Sequence, residues 1–433
     1  MNTEARIKYF EDFKNEEPYS YKDIYYQGTM QKLPVYKINL DFVIYNRWNG
    51  RIGSLVKSYE HESGAELNAS DKKCCEIIEK FLWQSNIHAN KATYENLKEQ
   101  GQKEYGIVTK DGVIIDGNRR VMLLRQKADE LKEKPGFFIA VVLNQKLSDN
   151  RKEIIRLETA YQMGEDAKVD YGPIEKYLKC KDMIEAGFKV DEIAKTMGVR
   201  DGNIEEYLQI MDLMDQYLDN LGYKGIYTRL DKTEDLFINL NKVCRRWKKS
   251  SGMVRWNFQD SDISDFRLLL FDFIRYVYNA PKGIESKEIR DALTKNSENS
   301  LFAHEKIWKE FSDRHFKDVG TITTNEKSVK ELRDENSSRD FNSLAKSRDG
   351  LWAKRVDPLI KKNFGLASEA LDNLQKREMP LDLLESAFKK LEAIDVDSLA
   401  FLNEEKVLIA VDKVRKIADS HKSLILKHRK GSR

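Results

Sequence analysis

The chain has 433 residues, enough for two or three domains with a sizeable core. Lys+Arg 75 against Asp+Glu 72 leaves a net charge of only +3, so a polyanionic partner must be held by a local patch, not by overall charge. Its 34% charged residues and few prolines suit a helix-rich chain. Its four cysteines (Cys74, Cys75, Cys180 and Cys244) have neither the spacing of a zinc site nor that of a disulfide framework.

Residues 1–32 are polar and Tyr-rich and read as an N-terminal extension. They lack the apolar segment of a signal peptide, and no run of ~18 apolar residues occurs anywhere. A cytoplasmic chain without a membrane span is therefore expected. From Leu33, LPVYKINLDFVIYN predicts a strand and then a turn. Residues 54–100 carry helical periodicity, with Ile77, Ile78, Phe81 and Leu82 on one face. In YGIVTKDGVIIDG, Asp111-Gly112 between two apolar runs predicts a hairpin. A helix then spans Arg119–Lys134, with Val121, Leu123, Leu124 and Ala128 inward, and FFIAVVL is a buried strand. Helices follow over Arg151–Met163 and Tyr171–Ala186. FKVDEIAKTMGVRDGNIEEYLQIMDLM predicts a helix-turn-helix, with Gly198 at the turn. Residues 217–433 read as helical. The polar stretch 317–345 lacks apolar periodicity and is the expected linker.

The sharpest chemical signal is Val113–Arg120. A β-branched strand delivers the chain to Asp116-Gly117, where glycine permits positive φ and close approach to a ligand. A helix starts near Asn118, and its free N–H groups favour an anion. Arg119 and Arg120 add forked donors suited to phosphate oxygens. The plainer alternative is a helix capped by Asp116 with two solvated arginines.

This segment resembles the ParB pattern, in which a hairpin leads to a GERR-like or GHRR-like turn; here the turn is Gly117-Asn118-Arg119-Arg120. Upstream, LPVYKINLDFVIYNRWNGRI resembles the first strand and arginine loop of that fold, with Arg47 and Arg51 as the loop arginines. Downstream, RLETAYQM resembles an ENxQR-like motif, placing Glu158 at its metal-binding Glu, and Pro173-Ile174-Glu175 matches a second element. The resemblance covers about half of the chain. It implies an α+β fold: a ParB/sulfiredoxin-like nucleotide-binding domain over 33–150, a helical helix-turn-helix domain over 151–216 and an all-helical C-terminal region over 217–433.

It also implies Mg²⁺ with CTP or ATP. Phosphates would lie on Arg47, Arg51, Gly117, Asn118, Arg119 and Arg120, and Glu158 would be a metal-binding and catalytic carboxylate; Asp116, one residue before the glycine, is the carboxylate placed to join it in metal binding and catalysis. Two departures stand out. Asn118 replaces an acidic turn residue, and Thr159 replaces the amide that follows the glutamate. No cysteine lies beside DGNRR, which removes a sulfiredoxin activity.

For DNA, Arg200 and Asn203 are the suitable readers on the second helix of the helix-turn-helix, but Glu205 and Glu206 oppose phosphate. A second basic surface is Arg245, Arg246, Lys248 and Lys249 around Trp247, in which the indole would stack a base. The plainer alternative is a solvated helix end. The expected function is a nucleotide-binding protein that couples binding or slow hydrolysis to DNA engagement or self-association, as a homodimer or with a protein partner, in plasmid partition or phage defence. The alternatives are an NTP-dependent nuclease of a defence system and a non-catalytic scaffold.

Overall fold

A computed structural model of the chain describes residues 2–13, 16–132, 136–163, 172–249, 254, 256–280, 282–294, 299–336, 339–375 and 380–431. It divides into two compact units, Met1–Ala367 and Ser368–Arg433.

The first unit is built on five strands: β1 (Ser20–Tyr26), β2 (Thr29–Asn39), β3 (Gly106–Val108), β4 (Ile114–Asp116) and β5 (Phe137–Val142). The sheet order is β1-β2-β5-β3-β4, antiparallel except between β3 and β5. That parallel pair needs a crossover, which α5 (Asn118–Leu131) supplies. Because side chains alternate along a strand, the sheet has two apolar faces. Ile38, Ile114, Phe138 and Ala140 pack under α1 (Thr3–Asp12), α2 (Gly53–Ser63), α3 (Lys72–Ser85), α4 (Ile87–Gln100) and α5. Ile24, Val35, Ile107, Ile115 and Val141 pack against Ile154 and Leu157 of α6 (Arg151–Met163). The expected hairpin is present, with Gly112 at φ +82°.

Residues 1–32 are not an extension. Phe10 and Phe13 enter the core, and Arg6, 2% exposed, donates from Nε to the Asp111 carbonyl at 2.9 Å. The segment also supplies β1 and the start of β2, joined at Gln27 (φ 53°) and Gly28 (φ 81°). Two consecutive positive φ values are those of a type I′ hairpin turn, and Gln-Gly is a weak signature for it.

Helices α7 (Pro173–Glu185), α8 (Val190–Met197) and α9 (Asp201–Asn220) close around Cys180, Met183, Ile193, Ala194, Met197 and Ile204. Gly198 at φ +67° ends α8, as the sequence predicts. The remainder of this unit comprises α10 (Glu234–Lys249), α11 (Asp260–Asn279), α12 (Ser286–Ile289), α13 (Glu305–Thr324), α14 (Val329–Glu335) and most of α15 (Phe341–Gln375).

The expected linker at 317–345 is instead part of this packing. Glu326 pairs with Arg275 at 2.7 Å and with Arg348 at 2.9 Å; Asp349 pairs with Arg275 at 2.8 Å and with Arg229 at 2.5 Å. Arg275 is fully buried, so Glu326 of this polar stretch serves a buried ionic network. Such a network has no hydrophobic period for a sequence reading to detect.

The second unit carries the end of α15, then α16 (Pro380–Glu392), α17 (Leu399–Asn403) and α18 (Glu405–Gly431). Leu381, Leu384, Phe388, Leu408, Ile417 and Leu424 are each more than half exposed. Among the described residues, no helix is long and apolar enough to cross a membrane.

Candidate functional site

The loop Asn46–Ile52 and the β4–α5 turn meet at the edge of the sheet. Asn118 joins them: its Oδ1 accepts from the Asn46 N–H at 3.0 Å and its Nδ2 donates to the Ile114 carbonyl at 3.2 Å. The residue is 2% exposed, so its side chain is a tie between segments, not a phosphate ligand. An aspartate here would lose the Nδ2 donor.

Gly117 is required, for packing reasons. Its φ is +112°, and a Cβ would lie 2.4 Å from Cζ of Phe138. The close approach that glycine allows is therefore to a core ring. Gly117 caps α5 without any side-chain bond, so Asp116 is not the N-cap. Asp116 instead pairs with Arg120 at 2.5 Å, and Arg120 Nη1 donates to the Glu104 carbonyl at 2.9 Å. Both side chains are thereby engaged within the chain itself.

Arg47 is committed in the same way. It pairs with Glu60 at 3.1 Å and Glu66 at 2.7 Å, and its guanidinium lies 4.4 Å from the Trp48 ring centre. Glu158, 1% exposed, pairs with Lys179 at 2.5 Å and accepts from the Gly50 N–H at 3.1 Å. It clamps α6 and α7 to the arginine loop. The carboxylate proposed for metal binding is thus sealed by a buried cation. Among the described residues, no group of three or more His, Cys, Asp or Glu is arranged to hold a metal ion.

Two of the expected residues remain. Arg51 sits in the 3₁₀ turn Gly50–Ile52, whose start is fixed by Asn49 Oδ1 accepting from the Arg51 N–H at 3.0 Å. Its Nε is buried without a hydrogen-bond partner. Arg119, on the first turn of α5, makes no hydrogen bond or ion pair among the described residues. Burial, with the positive charge of Arg51 nearby, pushes its pKa down to about 10. Two like charges brought together and half-hidden from water cost free energy that no carboxylate paired with them among the described residues offsets. An anion between them would.

Both line one cavity of about 670 Å³. The remaining wall comes from Ser54 and from Glu175 at the start of α7. Tyr227, Asp231 and Lys232, in the turn between α9 and α10, also line it, with the end of α3 and the start of α10. The volume falls within the range that suits a small-molecule ligand. Glu175 accepts from Ser54 Oγ at 2.7 Å, and burial pushes its carboxyl pKa upward. Sequence reasoning caught Glu175 only as part of a resemblance, and missed Ser54, Asp231 and Lys232. Those residues reach the cavity by tertiary packing and carry no motif. Asn46, Asn49 and Lys179, which hold the site together, were also missed; the pair of asparagines in YNRWNGR is the one visible hint, since Asn side chains cap turns.

In a second cavity of about 760 Å³, whose lining includes Glu79 and Arg125, the arginine is already engaged. Arg125 pairs with Glu79 at 3.5 Å and donates to the carbonyls of Leu40 and Val43 at 2.9 Å.

The expected DNA-contact residues divide. Arg200 is exposed and Asn203 half-exposed at the start of α9, beside exposed Glu205. Trp247 is 6% exposed and stacked on Phe302 at 4.0 Å, so it cannot stack a base. Arg246 is exposed and Arg245 half-buried; the side chains of Lys248 and Lys249 lie outside the described residues. Arg246 thus lies on the outer side of a helix whose Trp247 faces the core. No protein-family model matches the chain, and no curated protein matches it.

Proposed function

We propose that this chain binds a nucleoside phosphate in the Arg51–Arg119 cavity and uses that binding to control self-association or DNA engagement, in the manner of the ParB-like proteins that its DGNRR turn resembles. The observation that carries the reading is the pair of neighbouring guanidinium groups, partly buried and without an acidic partner among the described residues. Charge-assisted bonds from arginine to phosphate are strong and directional, and a cavity that excludes water strengthens them. Self-association is supported by the exposed leucines of the second unit, since monomeric soluble proteins rarely leave such faces open to water. The nuclease alternative loses its support, because Asp116 and Glu158 are each held by a cation of the chain itself.

Thermal melting with CTP, ATP, GTP and the corresponding monophosphates tests the reading. At least one nucleotide should raise the melting temperature of the wild type and leave Arg119→Ala unchanged, because a ligand that binds only the folded state stabilises it. Sedimentation with and without that nucleotide should then show a change in oligomeric state. If no nucleotide shifts the wild-type melt, the reading fails.

A further inference from the structure

The family that DGNRR resembles holds its nucleotide through Mg²⁺, and the residues here do not fit that ion. A divalent cation of this kind needs free carboxylate oxygens in octahedral array. Asp116 is paired with Arg120, and Glu158 is sealed by Lys179 and the Gly50 N–H. The carboxylates that do line the cavity are differently disposed. Glu175 is bonded to Ser54, Glu234 accepts from the Tyr177 hydroxyl, and Asp231 and Asp235 are exposed at the rim beside Lys232.

The lining of the cavity carries three cations, Arg51, Arg119 and Lys232, and four carboxylates, Glu175, Asp231, Glu234 and Asp235, among neutral residues. A phosphomonoester carries about two negative charges near neutral pH, which two guanidinium groups match. A second and a third phosphoryl group would add negative charge to a lining whose carboxylates already outnumber its cations, and be repelled. Those same carboxylates accept hydrogen bonds from sugar hydroxyls and base amino groups.

We infer that the Arg51–Arg119 cavity takes a nucleoside monophosphate without a divalent cation, its phosphate on the two arginines and its sugar or base donors against Glu175 and Asp231. This inference rests on the phosphate reading above and sharpens it to a ligand class.

Isothermal titration of the full chain with CMP, AMP and GMP, and with CTP, ATP and GTP, tests it in paired buffers containing Mg²⁺ or EDTA. One monophosphate should bind equally in both buffers, and the triphosphate of the same base about tenfold more weakly or worse. Arg119→Ala and Arg51→Ala should each lower monophosphate affinity about tenfold or more, with Arg119→Lys intermediate because it keeps the charge and loses the fork. Asp231→Asn should weaken the monophosphate and leave inorganic phosphate unaffected; an equal loss for both would overturn the placement of the nucleoside. Binding that requires Mg²⁺, or a triphosphate that binds more tightly than its monophosphate, overturns the inference and leaves the phosphate cavity standing. Silence of all six nucleotides in both buffers overturns the inference and the proposed function together.

Discussion

Replacing Lys179 with methionine leaves the Glu158 carboxylate inside the protein with only the Gly50 N–H to face it. The two side chains are 4% and 2% exposed and 2.5 Å apart, so water cannot take over from the lost ammonium. Breaking one half of a buried pair costs about 3–5 kcal/mol, whereas replacing both halves with uncharged groups of similar size is often close to neutral. The expected result is therefore asymmetric. Lys179→Met alone and Glu158→Gln alone each lose about 3–5 kcal/mol, and the double variant recovers most of it. Urea denaturation followed by tryptophan fluorescence reads these differences as shifts in midpoint at constant slope. Single variants that each lose less than about 1 kcal/mol, as a solvated ion pair would, refute the clamp. So does a Glu158→Gln variant of unchanged stability that no longer binds any nucleotide, for the carboxylate would then face a ligand.

Three further outcomes are expected. Gly117→Ala should destabilise the fold by roughly 2–4 kcal/mol, since it combines an unfavourable φ with a Cβ inside the Phe138 ring contact; a calorimetric melt within a degree of wild type would contradict this. Trp247→Ala should cost about 3–5 kcal/mol by emptying a buried aromatic site while leaving any DNA affinity of the folded protein unchanged; loss of DNA binding at wild-type stability would restore the stacking role. Cys180 is fully buried and its thiol is pushed up to about 12 by burial, so iodoacetamide at neutral pH should spare it until the chain unfolds, as peptide mass mapping would show. The sign for stability follows: the unfolded thiol ionises near pH ~8.5 while the folded one holds its proton, so this contribution is intact below that pH and lost as pH rises toward 12.

What the sequence determined by itself depends on neighbours along the chain. The Asp111-Gly112 hairpin, the β5 run FFIAVVL, the inward face of α5 and the glycine-ended α8 all follow from periods and turn chemistry within about twenty residues. The β1–β2 hairpin escaped because Gln27-Gly28 is a poor turn signature, and the ionic network around Arg275 escaped because buried charge looks like linker in one dimension. Only the tertiary structure decided which arginine is available. Arg47, Arg51, Arg119 and Arg120 look equivalent as sequence, and each satisfies the same phosphate logic. Glu60 and Glu66 claim Arg47, and Asp116 claims Arg120, while Arg51 and Arg119 are brought together in a cavity whose far wall lies more than a hundred residues downstream. A guanidinium binds whichever anion is nearest, and that distance is set by packing, not by a residue's place in a motif.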